Sequence, residues 1–428
     1  MSVTSTNFSG NQNTFLTPDV IAREALLILE DNIVAPQVMN TSATADFAGA
    51  RVGDTVRIRR PAFFGVDDYS RGSNSGNIRI QNAVEHSIDL KIEKQFDVSF
   101  EVSSKELSMS VDEFNERMLR PAMSAIAQKI DTYALTKLKG LGGFLGPSDS
   151  GAPAGLTAPN TLGEVAAIVE KMNIQRIPMT GRKFIVSPVM QSALYGIAEF
   201  VRADIRGSAT SPVEEASLGR FMGLDTMMSQ NLPTHTVGTI LSAANADKAC
   251  AVDGDQTEGT TTLTIDAVSL VGTVAAGDTV SILYADGVTR DHVITGAKTA
   301  GSNALTDITI NPGLYGIDAA AVDQASGGVP IVVEDDATAT IRGVSGSEDV
   351  TTVGAVFHPD AFQLVFVPQP NPMGPGTNSA TVNYKGMSLR VLQSYDHLKK
   401  RDLISVDCLV GAAAVDGRLG VRVPSANG

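Results

Sequence analysis

The sequence predicts an α+β fold interrupted by an inserted antiparallel β domain, a small barrel or sandwich. Outside the middle of the chain, hydrophobic spacing switches repeatedly between every second and every fourth residue, so strands and helices share one unit. From 229 to 356 there is not one Phe or Met, although the whole chain has 15 and 13. Between 233 and 345 lie fourteen acidic and four basic residues, a net −10 of the chain's −14. A stretch so different in composition, lying between two α/β stretches, reads as a self-contained insert.

Residues 1–50 read as an N-terminal arm and a helix. The arm, 1–16, is rich in Asn, Ser and Thr. Thr17 can cap the helix and Pro18 suits its first position. Val20, Ile21, Leu27, Ile28 and Val34 supply apolar content before Pro36 ends it, enough that the helix should pack on more than one side.

Residues 51–102 read as an extended β loop with flanking strands. Val56 and Ile58 alternate with Arg57 and Arg59. Ile88, Leu90 and Ile92, then Phe96, Val98, Phe100 and Val102, alternate with polar residues in the same way. The Gly-, Ser- and Asp-rich run from Phe63 to Gly76 would be the tip joining two limbs.

Residues 103–160 hold a long helix. Ser110 and Glu113 form a capping-box pattern. Phe114, Met118, Ala122, Ile126, Ile130, Ala134 and Leu138 recur every four residues. Uninterrupted, 110–139 would run roughly 43 Å, but Pro121 predicts a kink or break. Gly140, Gly142 and Gly143 stop it.

Residues 161–232 begin an α/β domain. Thr161 and Glu164 form a second capping box, Phe184-Ile185-Val186 a short buried strand, and Ser187-Pro188 the start of another helix. Asn231-Leu232-Pro233 looks like a boundary. Within 233–348, short β runs stand between Gly and Asp turns at 262–265, 279–282, 292–294, 308–310 and 331–333, as in a small barrel or sandwich. Expressed alone, this insert should fold. Residues 349–428 complete the α/β domain, with a helix opening at Phe357-His358-Pro359-Asp360-Ala361 and strands at 389–392 and 403–409.

Chemistry is not written into these elements. No Gly-x-Ser-x-Gly elbow or Walker-type Gly-x4-Gly-Lys occurs. The Gly-rich run 140–146 follows a helix rather than a strand, which suits termination better than dinucleotide binding. The five histidines are scattered without metal-ligand spacing. Glu334-Asp335-Asp336 lacks the alternation of a calcium loop and reads as a solvated turn. Cys250 and Cys408 are two isolated thiols, neither a disulfide framework nor a zinc site. No catalytic residue, cofactor or metal is expected. The net charge of −14 argues against a nucleic-acid coat built on phosphate neutralisation and against docking on anionic lipid. No run is apolar enough for a membrane helix, and no secretory signal opens the chain. The mixed-charge set Arg57, Arg59, Arg60, Asp67, Asp68 and Arg71 lies on the projecting loop, where it could pair with a neighbouring subunit.

The order of these parts resembles a tailed-bacteriophage major capsid protein: N-terminal arm, extended β loop, spine helix, α/β axial domain. The run Gly53-Asp54-Thr55-Val56-Arg57-Ile58, the spine Val111 to Leu138, Ser394-Tyr395-Asp396 and the closing Asp407-Cys408-Leu409-Val410-Gly411 carry the resemblance. In the insert, Thr262-Leu263-Thr264-Ile265 followed by Ala275-Ala276-Gly277-Asp278-Thr279-Val280-Ser281-Ile282 is similar to the barrel that interrupts coat proteins of the Salmonella short-tailed phage type.

The resemblance implies self-assembly into an icosahedral shell of pentamers and hexamers around double-stranded DNA. It also implies a scaffolding protein and a portal as partners, and a location in the virion after assembly in the host cytoplasm. Some capsids of this fold crosslink a loop lysine to a neighbour. This chain has no lysine before Lys91, so non-covalent contacts alone are expected. The rival readings are the shell of a non-viral nanocompartment, another virion structural protein and an α/β enzyme. The β insert argues against the first, the long helix against the second, and the lack of any catalytic constellation against the third.

Overall fold

A computed structural model describes residues 18–44, 55–59, 87–103, 118–146, 149, 158–201, 219–241, 247–315, 331–343, 350–372, 377–396 and 401–426. The first helix, Pro18–Asn32, turns Ile21, Ala22, Ala25, Leu26 and Leu29 inward. It packs on the long helix and on the strands Thr377–Tyr384 and Met387–Asp396. Val20 and Leu27 stay exposed, so its surplus apolar residues are not buried within one chain.

The long helix is regular over Arg120–Thr136 and ends in a 3₁₀ turn, Lys137–Gly140. Pro121 sits in the first turn of this regular segment, directly after the π-helical residues Met118 and Leu119, so the expected irregularity falls just before the proline. The Ser110–Glu113 pattern and Phe114 lie outside the described residues. Ala122, Met123, Ile126, Ala127, Ile130, Ala134 and Leu135 form the buried stripe. Full burial of an aliphatic side chain of this size stabilises by about 2 kcal/mol.

Asp131, on the same helix, is 1% exposed. Its carboxylate accepts the N–H groups of Val34 (3.1 Å) and Ala35 (2.9 Å), which open the short helix Ala35–Val38. Desolvation pushes the Asp131 carboxyl above its ordinary range.

These helices cover one face of a five-stranded antiparallel sheet. Arg401–Ala414 is its centre. On one side it pairs with Lys94–Ser103; on the other it pairs with Met387–Asp396 and, further along, with Phe362–Val367. Period-two alternation puts Ile404, Val406, Cys408 and Val410 toward the helices. Thr377–Tyr384 and Met387–Asp396 meet in a two-residue turn in which Lys385 and Gly386 both take positive φ, the geometry that matches strand twist.

A second, seven-stranded sheet runs in the order 143–144, 420–426, 350–357, 183–186, 224–228, 220–221, with Thr234–Thr236 also paired to 350–357. Helices Leu162–Ile174 and Pro188–Tyr195 pack on it. Their caps follow the sequence: Thr161 and Glu164 form a complete capping box, and Ser187 accepts the Met190 N–H. The core of the first sheet continues into this one through Ile185, Val353, Ala355 and Phe357. The helix expected to open near 357 is a single 3₁₀ turn, Pro359–Ala361, followed by the buried strand Phe362–Val367. The run Phe-Gln-Leu-Val-Phe-Val, apolar on both faces except at Gln363, favours a strand buried on both faces.

Between Thr236 and Val350 the chain forms a closed six-stranded antiparallel barrel. Its strands, in order around the barrel, are 262–266, 304–311, 289–294, 279–283, 338–342 and 248–252. Its core is separate and largely aliphatic: Val252, Ile265, Val280, Ile282, Ile294, Leu305, Ile308 and Ile341. A small barrel is filled by its own inward side chains and has little room for Phe. The run at 331–333 is a strand but not a barrel stave; it pairs with Gln256–Thr257 in a separate ribbon. Its place is taken by Thr338–Arg342, and Lys248–Val252 supplies the sixth stave.

Candidate assembly surfaces

Two features are attached to the two-sheet body: a β hairpin, of which only the limbs are described, and the barrel. The described limbs of the hairpin are Thr55–Arg59 and Ser87–Lys91, paired antiparallel in full register. One face is apolar, and Leu90 is fully buried against Ala43 and Val365. The root of the hairpin crosses the outer face of the five-stranded sheet at Gly411. A Cβ there would come within 2.9 Å of the Lys91 carbonyl oxygen, so glycine is required by close approach.

The other face of the hairpin carries Arg57, Arg59, Asp89 and Lys91, all exposed. Arg57 Nε donates to Asp89 Oδ1 at 3.0 Å across the hairpin, with both side chains more than half exposed. Of the six loop residues singled out, Arg57 and Arg59 therefore lie on one solvent-facing ribbon. Arg60, Asp67, Asp68 and Arg71 lie outside the described residues. The pairing of Arg57 within its own chain was not foreseen.

The outer face of the sheet beside the hairpin root is polar. Asp97 accepts the hydroxyls of Ser99 (2.9 Å) and Ser405 (2.5 Å). Glu101 pairs with Arg401, and Arg390 grips Asp407 through Nε and Nη2. Leu403, opposite Glu101 and Ser394, adds exposed apolar surface to this face.

The barrel meets the body along a buried polar seam. Arg422, on the 420–426 strand, donates to the Gly277 carbonyl oxygen (2.6 Å) and to Thr279 Oγ1. Complete burial lowers its pKa to about 10, against the opposing pull of Asp278 and Asp291. His235 Nε2 lies 2.9 Å from Asp278 Oδ1, and the other oxygen of Asp278 accepts the Gly238 (3.1 Å) and Ala275 (2.7 Å) N–H groups. Where the chain enters and leaves the barrel, Arg342 pairs with Asp247 (3.2 Å) and with Asp149 of the body (2.7 Å). Apart from the local Ala275–Asp278 bond, none of these partnerships is readable from local spacing.

Inside the barrel, His292 is fully buried between the Tyr284 hydroxyl (2.9 Å) and the Pro312 carbonyl oxygen (2.8 Å). Burial pulls its pKa down to about 4, so it is neutral at pH 7. Cys250 and Cys408 are free and buried, with pKa values pushed up by desolvation to about 11 and about 12. His358 caps the 359–361 turn, and Asp335 accepts the Gly254 N–H at 2.7 Å. No group of three metal-ligating side chains occurs among the described residues. No described helix is long and apolar enough to cross a membrane.

No protein-family model matches the chain, and no curated protein matches it. Among solved structures, a chain of Mycobacterium phage Che8 aligns at 13% identity over 91% of this chain and 90% of that one, with a TM-score of 0.47. The capsid of Ralstonia phage GP4 aligns at 7% identity over 89% and 86%, TM-score 0.45. The capsid of a native GTA particle aligns at 8% identity over 91% of both chains, TM-score 0.43.

Proposed function

We propose that this chain is the major capsid protein of a tailed bacteriophage, a shell subunit whose work is self-assembly. The observation that carries the reading is the hairpin. Its root is fixed to the body at Gly411 and Leu90, while its opposite face presents Arg57, Arg59 and Lys91 to solvent. An exposed charged ribbon anchored in this way suits a contact with another copy.

The body to which it is fixed is one continuous core spanning two sheets and the long helix, as a rigid wedge requires. Val20 and Leu27 offer further apolar surface. In a closed symmetric shell, many individually weak contacts multiply. The polar outer face around Asp97 and Glu101 and the mixed-charge ribbon of Arg57, Arg59, Asp89 and Lys91 offer further surface for such contacts. We further propose that the barrel makes the chain most similar to the Salmonella short-tailed phage coat type. Pentamers and hexamers, a scaffolding protein, a portal and double-stranded DNA held without sequence-specific contacts are the partners this reading brings. The virion is then its place.

Electron microscopy of the full chain, expressed alone and with a scaffolding protein, tests the proposal. Closed icosahedral shells are expected. Material that stays monomeric under every condition would overturn it.

A further inference from the structure

We propose that Asp291 is a positioning residue that locks the barrel in one orientation on the body, making docking of the barrel a step separable from its folding. The side chain of Asp291 is 1% exposed, yet it is not part of the barrel core. It leaves the barrel wall next to inward-facing His292 and enters the seam.

Three elements converge on its carboxylate. Ser281, on the adjacent stave, donates to Oδ1 at 2.6 Å. Lys171, from the helix Leu162–Ile174, forms an ion pair with Oδ2 at 2.9 Å. The Phe144 N–H, from the body strand Gly143–Phe144, donates to Oδ2 at 3.2 Å. Arg422 adds favourable charge. Alongside, Gly142 passes so close that a Cβ would lie 2.9 Å from the Asp291 carbonyl oxygen.

Two of those three partners belong to the body, so they exist only in one docked pose. A buried carboxylate without its partners is strongly disfavoured, whereas a well-paired one gains little over an apolar contact. The seam therefore discriminates between orientations more than it adds affinity. An apolar seam of the same area would tolerate sliding. The barrel does not need the body to complete itself: its core is a separate cluster, and each of its six staves is bonded on both sides by other staves. The lock stands on the seam alone and does not depend on the shell reading.

Spin labels on the full chain test it. Val268, on a barrel loop, and Met179, on the body, are 90% and 72% exposed, whereas both native thiols are buried. Val268→Cys and Met179→Cys therefore label selectively, and pulsed dipolar spectroscopy reads the distance between barrel and body. The parent should give one narrow distribution. Adding Asp291→Ala or Lys171→Met should broaden it to separations absent from the parent, while Cys250 and Cys408 stay as slow to react with a thiol reagent as before. A distribution that remains narrow in Asp291→Ala overturns the lock. So does broadening accompanied by fast reaction of Cys250, because docking and folding would then be one event. Both readouts work on unassembled chains, so shell formation is scored separately.

Discussion

The two junctions in this molecule are built from opposite materials. The five-stranded and seven-stranded sheets meet through Phe357, Phe362, Ile185 and the long helix, an apolar contact indistinguishable from a domain interior. Barrel and body meet through Arg422, Asp278, His235, Asp291 and Lys171. An apolar junction is strong and indifferent to small shifts, and its two halves have no separate existence. A polar junction between two separate cores is selective. The molecule therefore joins one continuous body core to a second, separate barrel core.

That contrast predicts where damage should stay confined. The two native thiols report on it, Cys250 from the barrel and Cys408 from the body. Ile282→Ala removes a fully buried side chain from the barrel core and should cost about 4 kcal/mol. Cys250 should then become reactive while Cys408 stays protected; simultaneous exposure of both would erase the distinction.

Acid should act on the same side. The lowered pKa of His292 means the unfolded chain takes up a proton first as pH falls. Stability is therefore lost between pH 6.5 and about 4, and amounts to about 3 kcal/mol at 1.36 kcal/mol per unit. Denaturant midpoints followed through Cys250 should fall across that window, and His292→Gln should flatten the profile.

On the body side, Asp131→Ala leaves two buried N–H groups without an acceptor and should cost about 2–3 kcal/mol. Its melting transition should drop with Cys408 exposure leading that of Cys250. Thr161→Ala breaks a capping box at an exposed helix start and should cost about 1 kcal/mol by chemical denaturation. Arg57→Ala should change stability by less than about 0.5 kcal/mol, because the pair is solvent-exposed. Any larger effect belongs to assembly rate, read by light scattering.

How much of this was legible in the sequence depended on range. Thr161–Glu164 and Ser187 act on residues within one helical turn, and the capping patterns identified them. Alternation identified the hairpin limbs and, over 96–102, the strand at 94–103, because a half-buried strand writes its own period; of the strand at 401–414 only 403–409 was read. The staves Lys-Ala-Cys-Ala-Val and Thr-Ala-Thr-Ile-Arg were missed because their alanines blur that alternation. The turn at 359–361 imitated a helix start since capping and Pro are common to both. Asp131 and Asp291 were invisible: the partners of the first lie 96 and 97 residues away, and Phe144 lies 147 residues from the second. Such contacts exist only once the topology does.

Closure of the barrel has one more consequence. A sheet with an open flank offers bare backbone donors and acceptors to any strand that drifts past, and the hazard grows with crowding. The barrel has no flank to offer. An acidic appendage with that geometry can be held in many copies at close quarters without seeding fibres.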